Sequence, residues 1–229
     1  MTGRRSPPGR PLAVGFSVKL GLLALAARLG PAPPAYFCEP ERAHWQGVPS
    51  ARRRLAYAGG RLAAKLAVHA LRRQLGMPCP ALAEILVLPR PGGAPSARLR
   101  DGSEYLLSIS HTAGLACAVS FLPPWQIGLD VLTVAQAPPA DPDWFHPREL
   151  GHPPRERAIS WAIKEATVKA LGRGLGPVFS QIACWTAAGH RYVTLPSALS
   201  VQIAQPNYTL LLLPPYLMCV ASGQTATTV

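Results

Sequence analysis

Trp161-Ala162-Ile163-Lys164-Glu165-Ala166-Thr167-Val168-Lys169-Ala170-Leu171-Gly172 is the stretch on which the fold turns. It belongs to a longer helical pattern, Arg155 to Leu171, stopped by Gly172, Gly174 and Gly176. Trp161, Glu165 and Lys169 recur at i, i+4 and i+8 and so share one face. On an open surface such a Glu–Lys pair stabilises a helix by only about 0.2–0.5 kcal/mol. A Trp on the same stripe suggests instead a partly buried face, where a carboxylate needs a partner.

Working outward, Gln126 to Val134 reads as a strand carrying Asp130 after Gly128-Leu129, and a Pro-rich loop leads from it to Trp144-Phe145. Upstream, Leu115 to Phe121 and Tyr105 to Ile109 are β-rich runs flanking Ser110-His111-Thr112, which places that motif at a strand end or turn. Ile85 to Leu88 is a further strand, followed by a Pro/Gly loop, Pro89 to Pro95. Ser50 to Leu75 has a helical period, with Leu55, Leu62, Leu66 and Leu71 near one face and Arg52, Arg53, Arg54, Arg61, Lys65, Arg72 and Arg73 on the rest. Downstream the chain is β-like over Ile182 to Thr186, Tyr192 to Leu195, Leu199 to Ile203, Tyr208 to Leu213 and Leu217 to Ala221.

Each half thus combines a long helix with several strands. The expected fold class is α+β, in two similar halves over 12–122 and 123–229 joined near Pro123-Pro124, with no evident sequence repeat. Residues 1–11 read as a disordered basic arm, and Leu12 to Leu29 as a first strand and short helix. That last stretch superficially resembles a signal peptide, but Lys19 interrupts it and the clean apolar piece, Gly21 to Ala27, is short for one. A cytoplasmic protein without a membrane span is expected.

The 229 residues, 48% hydrophobic and 15% charged, are enough for a substantial core and exclude global disorder. The formal charge of +12 suits a polyanionic partner: nucleic acid, a phosphorylated cofactor or an acidic protein. No Asp or Glu follows Glu165, and only four lysines stand against nineteen arginines. Two of the four, Lys164 and Lys169, lie close together, which hints at a compact ammonium kept for a site. Cys38, Cys79, Cys117, Cys184 and Cys219 are odd in number and widely spread. They suggest small buried hydrophobes rather than a disulfide framework or a zinc site.

A lone Asp in an apolar strand, such as Asp130, is commonly an end-of-strand cap. Together with Glu165 it would offer the two hard oxygen ligands usual for Mg²⁺ on substrate phosphates. His111 is either a satisfied turn histidine or a ligand contact. A Ser110–His111 triad is disfavoured, since adjacent strand residues face opposite ways and no G-x-S-x-G elbow exists. Gly172-Arg-Gly-Leu-Gly follows a helix rather than a strand and so is not a dinucleotide fingerprint.

In this order the elements resemble the 4′-phosphopantetheinyl transferase superfamily, in its two-half, surfactin-synthetase-activating branch. The resemblance rests on Gly60-Arg61-Leu62, Ser110-His111-Thr112, Gly128-Leu129-Asp130-Val131, Phe145-His-Pro-Arg-Glu149, Trp161 to Lys169 with Gly172, and Leu217-Met-Cys-Val220-Ala221. It covers about residues 50 to 221. It implies two α+β halves about a pseudo-twofold, with coenzyme A at their interface, acting as a monomer on an acidic apo carrier protein. By position, Asp130 and Glu165 would hold Mg²⁺ or Mn²⁺ on the coenzyme A pyrophosphate. Lys169 and Lys164 would contact the cofactor, Ser110 and His111 its phosphates, and Arg52 and Arg61 supply further basic contacts, Arg52 the preferred one. Glu149 is a further acidic candidate, and Glu165 the candidate base.

Two departures stand out. Many bacterial relatives have a second acid where this chain has Leu132, so Leu132→Glu is expected to be tolerated. The loop before Ser-His-Thr usually carries Gly-Lys-Pro, here Gly93-Ala94-Pro95, which leaves Arg90, Arg98 or Arg100 to substitute for the lysine. The alternatives are a catalytically impaired relative that binds coenzyme A or a carrier without transfer, and a nucleic-acid binder. The second has no recognisable module or aromatic platform behind it.

Overall fold

The computed structural model describes residues 13–19, 33–112, 114–174, 176–187, 190–200 and 202–225. The basic arm expected over 1–11 and the helix expected before Leu29 lie outside these residues. The strand expected there is β1 (Ala13–Lys19). Helices α1 (Glu39–Gly47) and α2 (Ala51–Gln74) follow, then β2 (Leu86–Pro89), β3 (Pro95–Arg98), β4 (Glu104–Thr112) and β5 (Leu115–Phe121). The second set is β6 (Trp125–Thr133), α3 (Pro154–Ala170), β7 (Ala183–Ala187), β8 (His190–Thr194), α4 (Ser197–Ser200), β9 (Ile203–Leu213) and β10 (Tyr216–Thr225).

Local chemistry accounts for most boundaries. Ser50 Oγ accepts the Arg53 N–H at 3.2 Å to start α2, and Gly76, at φ +69°, turns the chain away after it. Acids Glu39 and Glu41 sit in the first turn of α1, where the helix dipole favours them. The strand expected over Leu199 to Ile203 is corrected: Pro196 O accepts the N–H of Leu199 and Ser200, and the chain makes the single helical turn α4 before β9 begins.

The first sheet has the order β1-β5-β4-β3-β2 and the second β6-β10-β9, with β7-β8 a separate hairpin, every described pairing being antiparallel. The fold is thus mixed α+β. The order β6-β10-β9 repeats the β1-β5-β4 part of the first sheet, and no described pairing joins the β7-β8 hairpin to it. Each set opens on a strand that pairs with its last: Ala13 faces Phe121 in one, Trp125 faces Gln224 in the other.

Three apolar clusters stack these layers. One packs α2 on the first sheet through Ala63, Ala64, Ala67, Val68 and Leu71 against Val87, Leu107 and Ala118. This corrects the expected helix face: Leu62 and Leu66 are only half-buried, because alanines let the helix lie close on the sheet. A second joins the sheets face to face through Leu115, Cys117, Val119 and Phe121 of β5 and Ile127, Leu129 and Val131 of β6. The third packs α3 on the second sheet through Ala158, Ala162, Ile163 and Ala166 against Leu132, Leu217 and Cys219. Burying each Leu, Ile or Val contributes roughly 1.5–3 kcal/mol. Among the described residues no helix is long and apolar enough to cross a membrane.

A buried charge cluster is repeated as well. Lys65 Nζ donates to Glu41 Oε2 and to Tyr36 O, both at 2.6 Å; the same carboxylate accepts the Cys38 N–H and, on Oε1, the Val87 N–H of β2, both at 3.2 Å. In the other half Lys164 Nζ donates to Glu149 Oε2 at 2.5 Å and Trp144 O at 3.0 Å. Glu149 accepts the His146 N–H at 2.8 Å and the Cys184 N–H of β7 at 2.9 Å. A repeat is therefore present where none was evident: Tyr36-Phe37-Cys38-Glu39-Pro40-Glu41 matches Trp144-Phe145-His146-Pro147-Arg148-Glu149, with both phenylalanines fully buried.

Candidate functional site

The site forms where β6 crosses β4. As an edge strand β6 has backbone amides to satisfy, and β4 supplies alternate serines: Ser108 Oγ accepts the Leu129 N–H at 3.0 Å and Ser110 Oγ the Val131 N–H at 3.2 Å. On its other face Gly128 admits α3. A Cβ at Gly128 would lie 1.8 Å from Ala166 O and 2.4 Å from Ala170 N, so only glycine lets the helix backbone rest on the strand. That close approach sets Glu165 and Lys169 beside Asp130, two residues along.

Lys169 Nζ donates to Asp130 Oδ1 at 2.7 Å and to Ser110 Oγ at 3.4 Å, and lies 3.6 Å from Glu165 Oε2. Ser110 Oγ donates to Asp130 Oδ1 at 2.8 Å. Its one hydrogen and both lone pairs are thus engaged. The helix stripe is half-buried as expected. Trp161 packs on Phe179 with ring centroids 4.9 Å apart. Burial, reinforced by the Asp130 charge and opposed by Lys169, pushes the Glu165 carboxyl above its usual range. Burial and the same Asp130 charge push the Cys117 and Cys219 thiols up to about 12, so both stay protonated. Cys184 is buried with them, Cys38 half-buried and Cys79 exposed, all as free thiols.

His111, next along β4, faces away from this cluster onto the α2 side. It lines a cavity of about 530 Å³ with Arg61, Tyr57, His44 and Glu41, which adjoins a space of about 730 Å³ lined by Arg53 and again by His111. Desolvation, then the Lys169 ammonium, and beyond it Arg52, hold His111 below its ordinary range. The guanidinium of Arg61 sits 4.4 Å over the Tyr57 ring, and its buried Nε has no hydrogen-bond partner. Arg52 itself is exposed near the start of α2 and acts on His111 only through its field.

Asp130, Glu165, Lys169 and Ser110 are therefore brought together, and His111 and Arg61 share the neighbouring cavity. Lys164 is not among them: its side chain has no exposed surface and is held by Glu149 and Trp144 O, so its expected cofactor contact is corrected to a structural role, and Glu149 with it. Leu132 is corrected as well. It is 7% exposed in the core under α3, so an acid there would be a buried charge rather than a tolerated ligand. Of the three loop arginines, Arg90 lines a cavity of about 270 Å³ together with Lys169, Gln126 and Trp125, whereas Arg100 pairs with Glu84 at 3.7 Å and Arg98 is exposed on β3. Tyr57, His44, Arg53 and Gln126 were not singled out by sequence. Only Arg53 had a signal, as a neighbour of Arg52 one step round the helix.

Among the described residues no group of three or more His, Cys, Asp and Glu gathers as a metal site. The Asp130–Glu165 pair nonetheless fits a hard divalent ion. Two desolvated carboxylates share one ammonium there. No protein-family model matches the chain, and no curated protein matches it.

Proposed function

We propose that this chain transfers the 4′-phosphopantetheine arm of coenzyme A to a serine of an acidic apo carrier protein, in the cytoplasm, and that its halves are the pseudo-twofold pair of the 4′-phosphopantetheinyl transferase fold. One observation carries the reading. Asp130, Glu165 and Lys169 converge at the junction of two halves of like strand order, beside a cavity lined by His111 and Arg61. A phosphate-bearing substrate laid across that junction meets basic groups in the cavity and carboxylates for a cation at the junction.

Asp130 and Glu165 would hold Mg²⁺ or Mn²⁺, which when bound supplies positive charge to the pyrophosphate. Lys169 binds a pyrophosphate oxygen and neutralises charge that builds on the leaving phosphate. His111, Arg61 and Arg52 orient the nucleotide phosphates, while Ser110, its hydroxyl fully engaged, holds Asp130 in place instead of contacting a phosphate. Glu165 takes the proton of the carrier serine hydroxyl at a carboxylate oxygen. The serine oxygen then bonds to the β-phosphorus, the bridging P–O bond breaks, and 3′,5′-ADP leaves. The formal charge of +12 suits both anionic substrates.

A second reading, a coenzyme A or carrier binder without transfer, is favoured by the buried Leu132 at the usual second-acid position. Incubation with coenzyme A, Mg²⁺ and a panel of apo carriers, followed by intact-mass measurement, separates the two. Transfer adds one phosphopantetheine arm to a carrier, and Asp130→Ala or Glu165→Ala lowers its rate by about 100-fold or more. Coenzyme A binding with no mass gain on any carrier establishes the second reading instead. Normal transfer by Asp130→Ala removes the metal assignment.

A further inference from the structure

The ammonium of Lys169 stands between two carboxylates and also at the wall of a cavity. Its contacts with Asp130, Glu165 and Ser110 leave a cluster with one net negative charge, in which Lys169 is 27% exposed, Asp130 8% and Glu165 16%. The cavity of about 270 Å³ on which Lys169 also borders is lined by a second cation, Arg90. A lysine stem of four carbons can move its charge between two such places by rotamer changes alone, with no shift of α3.

We propose that Lys169 is a two-position cation: it neutralises Asp130 and Glu165 until a divalent ion takes them, and then turns into the cavity, where with Arg90 it makes a subsite for a phosphate group. The inference rests on the metal assignment made above. Two carboxylates attract a divalent ion more strongly than one ammonium, and the ion repels the ammonium it replaces. While paired to Asp130, Lys169 has its charge compensated and Arg90 faces the cavity alone. Once released, two uncompensated cations face it. Cation and phosphate therefore each favour the other's binding, and by equal factors. The same movement supplies the positive charge that Ala94, in the loop beside Gly172, does not.

Labelling of the full chain with an amine-reactive reagent, read residue by residue by peptide mass, tests this. Lys65 and Lys164 have no exposed surface and serve as internal references. Mg²⁺ is expected to raise Lys169 labelling about tenfold, the scale of releasing one charge-assisted hydrogen bond. Inorganic phosphate added with Mg²⁺ lowers it again. Asp130→Asn labels fast with or without Mg²⁺, and Arg90→Ala keeps the Mg²⁺ response while losing protection by phosphate. Binding of Mn²⁺ is followed in parallel by electron paramagnetic resonance. Bound Mn²⁺ with unchanged Lys169 labelling overturns the displacement and leaves the metal site standing. No bound Mn²⁺ takes down the metal assignment and this inference together. Phosphate protection that survives in Arg90→Ala overturns the subsite.

Discussion

Helices α2 and α3 each bury one lysine, Lys65 and Lys164, against a glutamate, an aromatic residue's carbonyl and the start of a strand. Superposed on those two lysines, the helices then part company. Where α3 has Glu165 and Lys169, α2 has Leu66 and Ala70. The shared part holds each half together, and the unshared part faces the junction with chemistry. Lysines of one sequence motif, five residues apart, therefore do different jobs. Lys164 is caged by two acceptors, Glu149 Oε2 and Trp144 O, whereas Lys169 lies among the carboxylates at the junction.

The equivalence of the two clamps can be broken most forcefully by removing their charges. Lys164→Met and Lys65→Met each strand a buried glutamate and should each cost about 3–5 kcal/mol in urea unfolding. If one variant keeps wild-type stability, the two halves are not built alike. Next in size is the helix–strand approach. Gly128→Ala drives a methyl into the α3 backbone and should destabilise by about 1–3 kcal/mol or more. Gly60→Ala, whose Cβ would meet only Ile109 Cγ2 at 3.3 Å, should lie near zero because that side chain can give way. Equal losses at both positions would mean that the tight contact is not special to the site-bearing half.

The smallest effect concerns Glu165. Its raised proton affinity means that the folded chain binds this proton more tightly than the unfolded chain does, so stability is lost as pH rises from the ordinary glutamate range through the folded value. Glu165→Gln removes that loss. Its melting temperature should exceed that of the wild type near neutral pH, with the gain vanishing below about pH 4. A gain that grows on acidification would reverse the sign assigned here. Leu66 offers no comparable titration in α2.

The helix Arg155 to Leu171 and the strand Leu115 to Phe121 were legible because period and boundary signals agree there. The Gly128-x-Asp130 pattern was legible only through the family resemblance, because a lone Asp in an apolar strand reads first as an end-of-strand cap. The clamps were not. Glutamate and lysine lie 24 residues apart in one half and 15 in the other, so no fixed spacing repeats. A charge on a helix also reads as solvent-facing when its partner comes from elsewhere in the chain, which is why Lys65 was placed on the wrong face of α2 and Lys164 in the site. The cavity wall was equally hidden. Tyr57 and His44, with rings 4.8 Å apart, come from different helices and share no pattern.

The pairing of each half's opening strand with its closing one also sets a schedule during synthesis. The first sheet can close once Phe121 has emerged, but β6 emerges next and its partner β10 only after the intervening residues to Thr225. At about 5–20 residues per second that wait is roughly 5–20 seconds. From its start, the Ser108 and Ser110 hydroxyls and the apolar face of β5 are already in place to dock β6, so the first half can serve as a template on which the second is assembled.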